Sequence, residues 1–187
     1  MQPRNIHSSE LESALALEGR ARGTSAIPWR QLVAHGLATD ASKTRLFQRV
    51  VLAAVVLPHG LQKAFGWFGG FGVEGTLGWF ESALGVPTPV ASLVIIAELF
   101  GAVALALGLF SRLSAVGIAL TMLGAIVLVH APSGFFMDWS GTQNGEGFEY
   151  HLLALGLSLP LAVRGGGIWS LDTWLLRHWD QHGGSRC

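Results

Sequence analysis

The stretch Pro89 to Leu109, PVASLVIIAELFGAVALALGL, carries one ionisable side chain, Glu98, in an otherwise apolar run. Its length suits a helix crossing a hydrocarbon core of about 30 Å. A carboxylate in the middle of such a helix costs about 3 kcal/mol on insertion scales unless it is paired or protonated. Glu98 therefore marks two things at once: a membrane helix, and a polar site inside it.

Three further windows share this character, Leu46 to Phe65, Leu113 to Ala131 and Phe148 to Val163. The last is the shortest, and reaches the interface through snorkelling of Arg164 or local thinning of the bilayer. Half of the 187 residues are hydrophobic and only 13% are charged, against about a quarter charged in soluble domains. The expectation is an all-α integral membrane protein, an up-down four-helix bundle over residues 46–165. A flexible cytoplasmic extension, 1–45, precedes it, and an interfacial amphipathic helix and tail, 166–187, follow. Within the extension a short helix is expected around Ser9 to Leu17.

Net charge is zero, with no basic face interleaved with aromatics, so nucleic acid is excluded as a partner and the lipid bilayer is the expected one. Lys43, Arg45 and Arg49 flank the first span, Arg112 lies between the second and third, and Arg164 and Arg177 follow the fourth. The longer connections, 66–88 and 132–147, hold Glu74, Glu81, Asp138 and Glu146 but no lysine or arginine. The positive-inside rule then puts both termini in the cytoplasm of a multi-pass inner-membrane protein. The polar N-terminus has no apolar core or cleavage site of a signal peptide, so the first span is expected to act as the insertion signal. Cys187, the single cysteine, excludes an intrachain disulfide and dithiol exchange.

Placed on these spans, the polar residues gather toward the outer side. Pro58 predicts a kink beside His59, and His59 and Lys63, four apart, share one helix face. Glu98 and His59 fall at similar depth when 1.5 Å per residue is counted inward from the outer ends of their helices. His130 closes the third span, and Glu149 and His151 open the fourth. Small residues at spacing four, Ala97 with Gly101 and Ala104 with Gly108, then Gly117, Thr121 and Ala125, allow close helix approach. After Phe65 the Gly- and aromatic-rich run 66–72 and the segment Thr76 to Leu84 predict a short re-entrant or surface helix on the outer side. Gly165 to Gly167 break the fourth span, and Ile168 to Trp179 reads as an amphipathic helix in the cytoplasmic interface.

The order His59-Gly60-x-x-Lys63-x-Phe65-Gly66, Ala97-Glu98-x-x-Gly101, Leu107-Gly108-Leu109 with Arg112, then His130, Glu149 and Ser170-Leu171-Asp172 resembles the DoxX family of four-helix membrane proteins, over residues 46 to about 175. The resemblance implies a bacterial inner-membrane protein related to the DoxD subunit of thiosulfate:quinone oxidoreductases, with links to sulfur handling and oxidative stress. Where that family commonly has an asparagine after the fourth-span glutamate, this chain has His151.

The functional reading takes Glu98 and His59 as the proton-exchanging, catalytic groups of a quinone-linked oxidoreductase subunit, and Lys63, His130, Glu149 and His151 as binding groups. Quinone is then a substrate, and no tightly bound cofactor is expected. Partners would be a soluble or membrane redox protein and a second copy of the chain. The alternative is a non-enzymatic membrane scaffold or small-molecule carrier. In it Glu98 is ion-paired with Lys63 or Arg112, His59 serves backbone groups loosened by Pro58, Lys63 snorkels to headgroups, and His130, Glu149 and His151 are solvated. Imidazole and carboxylate at one face also suit zinc or iron, but no compact ligand motif is present, and no metal is expected. A haem between His59 and His130 is disfavoured by their difference in depth.

Overall fold

In the computed structural model of the chain, residues 28–39 and 41–183 are described. The helix expected at Ser9 to Leu17 and the tail at Cys187 lie outside these residues. All regular structure among the described residues is helical. Helix α1, Pro28–Leu37, is followed by α2, Lys43–Phe65, α3, Gly72–Leu84, α4, Thr88–Leu107, α5, Ser111–Ala125, α6, Glu149–Arg164, and α7, Leu171–Gly183. Part of the segment expected as a flexible extension is thus helical, and α2 starts at Lys43 rather than Leu46. The reason is local: the Ser42 side chain accepts a hydrogen bond from the N–H of Arg45 and caps the first turn.

Each long helix buries one stripe. On α2 the stripe is Arg45, Arg49, Leu52, Ala53, Val56 and Gly60, and on α4 it is Ala91, Ile95, Glu98, Leu99, Ala102 and Leu105. Steps of three and four are what a helix needs to face one neighbour. Helix α2 packs on α4, α4 on α5, α5 on α6, and α6 back on α2, while α3 lies across the ends of α2 and α4. Leu93, Phe100, Leu113, Leu120, Leu153 and Val163, on the reverse faces, are exposed. Apolar side chains thus point both inward and outward, as lipid-facing helices require and as a water-exposed surface does not tolerate over so large an area.

Among the described residues, two helices are long and apolar enough to cross a membrane, Thr88–Leu107 and Ser111–Ser133, the latter continuing α5 through a π-helical turn, Ile126–His130. Lys43–Phe65 and Trp67–Leu84 qualify together, as a pair bent by 97°. Gly66, with φ 71°, ends α2 in a left-handed conformation that a side chain would strain. The chain then folds back so closely that a Cβ at Gly70 would overlap the Gln62 backbone. Thr76 donates its hydroxyl to the Lys63 carbonyl at 3.3 Å and pins α3 to the end of α2.

At the opposite end of the helices a second polar assembly is buried. Arg49, 1% exposed, donates to the carbonyls of Leu105 and Ala106 and to those of Ile168 and Trp169, the last at 2.6 Å. Asp172, equally buried, accepts from the N–H groups of Phe110 and Ser111 at 2.7 and 2.9 Å and so caps α5 from outside its own helix. Its own N–H returns to the Gly108 carbonyl at 2.9 Å. Arg49, counted above among the charges flanking the first span, is thus an interior clamp.

Candidate functional site

The site begins with a glycine. A Cβ on Gly60 would lie 2.7 Å from the Leu99 backbone and 2.8 Å from the Glu98 carbonyl carbon, so α2 and α4 touch main chain to main chain there. That approach brings Lys63, one turn further along α2, to Glu98. Lys63 Nζ donates to Glu98 Oε2 at 2.6 Å, with the lysine side chain 26% and the glutamate side chain 5% exposed. Pairing offsets the cost of taking the carboxylate out of water, and removing either partner would leave the other charge uncompensated. Of the two cations weighed for Glu98, it meets Lys63; Arg112 instead donates its Nε to the Ala38 carbonyl at 3.1 Å.

A series of rings continues from this pair. His59 is exposed, and its ring centre lies 5.9 Å from that of Tyr150. Tyr150 lies 5.3 Å from His151, nearly perpendicular to it. His151 lies 4.1 Å from His130, and His130 Nδ1 is 2.8 Å from the Glu146 carbonyl oxygen. The π-helical turn that ends α5 places His130 against the first turn of α6. His151 is 6% exposed, so it is no solvated surface group. Tyr150 Oη and His151 Nδ1 are buried with no hydrogen-bond partner among the described residues, an arrangement that native interiors avoid unless a ligand or water completes it.

Glu149 stands apart. Its carboxylate accepts from the Met137 N–H at 3.4 Å and ties α6 to the preceding loop. That loop is organised by Asp138, whose two carboxylate oxygens accept from the N–H groups of Thr142 and Gln143, and by Glu146, which accepts from the Asp138 N–H at 2.7 Å. Glu98, His59, Lys63, His151 and His130 are thereby brought together, and Glu149 is not. Among the described residues no group of three or more His, Cys, Asp or Glu is placed to hold a metal ion.

Sequence reasoning missed Tyr150, the single tyrosine of the chain, whose hydroxyl is one of the two unpartnered atoms in this ring series. Its signal was its place between Glu149 and His151, in the first turn of a helix that already carried two candidates. It also missed the interior role of Arg49, which falls on the same three-and-four stripe as Leu52, Val56 and Gly60.

The DoxX family model matches residues 44–131, the segment that contains Gly60, Lys63, Glu98 and His130. The chain belongs to the DoxX family, and is a membrane-associated protein with apolar helices. It is similar to a protein of Bacillus subtilis (strain 168) named "Putative oxidoreductase CatD", 33% identical over 132 residues, which cover 71% of this chain and 87% of the relative. No solved structure matches the chain.

Proposed function

We propose that this DoxX protein is the membrane subunit of a quinone-linked oxidoreductase, with the head group of a quinone bound beside the Lys63–Glu98 pair. The observation that carries the reading is the pair of buried, unpartnered polar atoms, Tyr150 Oη and His151 Nδ1, in the same ring series as His59. A hydroxyl donor and an imidazole suit the carbonyl and hydroxyl oxygens of a quinone or quinol. The name of the Bacillus relative, an oxidoreductase, supports the reaction class.

Reduction of a quinone to a quinol takes up two electrons and two protons. A reduced redox partner protein supplies the electrons. Lys63 stabilises negative charge developing on the nearer oxygen, His59 supplies one proton, and Glu98, ionised in its pair with Lys63, takes up the second proton from the exposed side and passes it to the quinone. His151 and His130 lead from the site toward the Glu146 carbonyl, where the chain is exposed and protons can be replaced. In this reading α2, α4, α5 and α6 are the four spans of an inner-membrane bundle. Both termini are cytoplasmic, α3 is a cap on the outer side, and α7 lies in the cytoplasmic interface. Pairing with a second copy remains part of the proposal.

A second reading, a scaffold or carrier, is favoured by one observation. The Lys63–Glu98 pair lies one turn from the backbone contact at Gly60 and would fix the register of α2 on α4 without any chemistry. Photolabelling separates the two. An azidoquinone should label the first turn of α6 and the His59–Lys63 segment of the purified protein, with labelling suppressed by excess unmodified quinone. Labelling spread over the exposed apolar faces, and not suppressed, would favour the scaffold.

A further inference from the structure

Helices α2 and α6 run side by side in opposite directions, and they meet at the site through His59 and Tyr150, with 5.9 Å between ring centres. Toward their other ends they part, and a groove of about 610 Å³ opens between them, with Gln48 on the α2 side and Leu159, Pro160 and Val163 on the α6 side. Gln48, Val55 and His59 follow one another at steps of seven and four on α2, and Tyr150, Leu157 and Pro160 at steps of seven and three on α6, spacings that keep each set on one helix face. The ring contact and the groove thus lie on the same pair of faces, joined by a seam about 15 Å long at 1.5 Å per residue. Along it Val55 is exposed and Leu157 half-buried. Of α2, α4, α5 and α6, only α2 and α6 contain an internal proline, Pro58 and Pro160, and each removes a main-chain hydrogen bond and lets its helix bend. His59 is exposed on this seam, and an ionisable side chain at the wall of an apolar helix is rare enough to mark a ligand path.

We propose that the seam between α2 and α6 holds the tail of the ligand. The substrate is a lipid quinone with a long prenyl chain, which enters sideways from the bilayer past His59 and lays its chain against Val55, Leu157, Leu159 and Pro160 while its head group rests beside the Lys63–Glu98 pair. This deepens the quinone reading and rests on it. The occupant follows from the continuity of the seam with the site. One end reaches the polar cluster with its unpartnered atoms, Tyr150 Oη and His151 Nδ1, and the α6 wall beyond is apolar through Leu157, Leu159 and Pro160. A ligand that fits both is polar at one end and a linear hydrocarbon after it. Since hydrocarbon surrounds these helices in a membrane, the chain is held by close packing and not by escape from water, so its binding depends on the free width of the seam.

The test is the melting temperature of the detergent-purified full chain, titrated with two quinones that share one head group, one without a tail and one with a long prenyl chain. Both should stabilise saturably. Val55→Trp fills the middle of the seam and Leu159→Trp the groove. Both positions are exposed, so the variants should fold, and either alone suffices if the other is not recovered. Each should raise the half-saturating concentration of the long-chain quinone about ten-fold over wild type, the usual effect of overfilling a packed contact, and leave that of the tail-less quinone unchanged. Taken as a ratio to wild type, the shift is free of the unequal partitioning of the two quinones into detergent. Leu120→Trp, on the exposed face of α5, should change neither. An unchanged long-chain titration in the seam variants, or an equal shift for both quinones, would overturn the seam and leave the quinone site standing. Stabilisation by neither quinone would overturn both. A prenyl alcohol of the same length that competes as well as the long-chain quinone would overturn the quinone as the occupant of the seam.

Discussion

Glu98 is held by two unlike constraints: a backbone contact that leaves no room for a side chain at Gly60, and a lysine one turn away that neutralises it at 2.6 Å. Because the carboxylate is buried and the ammonium half-buried, the single variants are unequal to the double. Glu98→Gln strands Lys63, and Lys63→Met strands a buried carboxylate, so both should lower the melting temperature, the second more. The double variant should recover part of the loss, with a coupling of about 0.5–3 kcal/mol for residues in contact. Additive losses would mean that the pair contributes no coupling. Glu98, His59 and Lys63 were legible because an ionisable group in an apolar helix is conspicuous and a spacing of four fixes a shared face. The partner of Glu98 and the place of Tyr150 were not, because which helix faces which is settled by close packing that no local spacing reveals.

At the scale of the element, the decisive contact is α2 on α4. Two of the small residues picked out by spacing do face a neighbour: a Cβ placed at Gly117 would lie 3.4 Å from Ala97, and one at Gly101 would lie 3.8 Å from Ile118, an ordinary contact. Gly60, which spacing did not mark, is tighter than either of these, because its neighbour is backbone and cannot move aside. Gly101→Ala should therefore leave the melting temperature nearly unchanged, whereas Gly60→Val should cost about 1–3 kcal/mol, the usual penalty of overpacking, or prevent folding. Equal tolerance of both would show that α2 and α4 are not so closely apposed. Apart from α1, which fell in the expected extension, the helices were read from the sequence to within a few residues, since apolar length and glycine stops are local signals. The start of α2 was placed late because Arg45 and Arg49 resemble flanking charges. Only the carbonyls of α4 and of the segment before α7 show that Arg49 is an interior donor.

Over the whole molecule, two polar assemblies occupy opposite ends of an apolar helical body. The Arg49–Asp172 assembly directs its hydrogen bonds to main chain and serves as a clamp, although Arg49 Nε and Ser111 Oγ are left unpartnered there; the cluster around Glu98 leaves Tyr150 Oη and His151 Nδ1 without partners, both in the series of rings. The membrane class was legible from composition, and the polar end from the depth count along each span. The ring series was not, because it depends on the π-helical turn that sets His130 against His151. The most direct measurement is a thermal-shift titration of the purified protein with a short-chain quinone, run beside Tyr150→Phe, which removes the unpartnered hydroxyl and little else, and Glu98→Gln. Saturable stabilisation of the wild type that is weakened in both variants is the predicted result. A well-folded wild type with no response, or a response unchanged in both variants, would contradict the quinone site and leave the cluster as a helix-register lock.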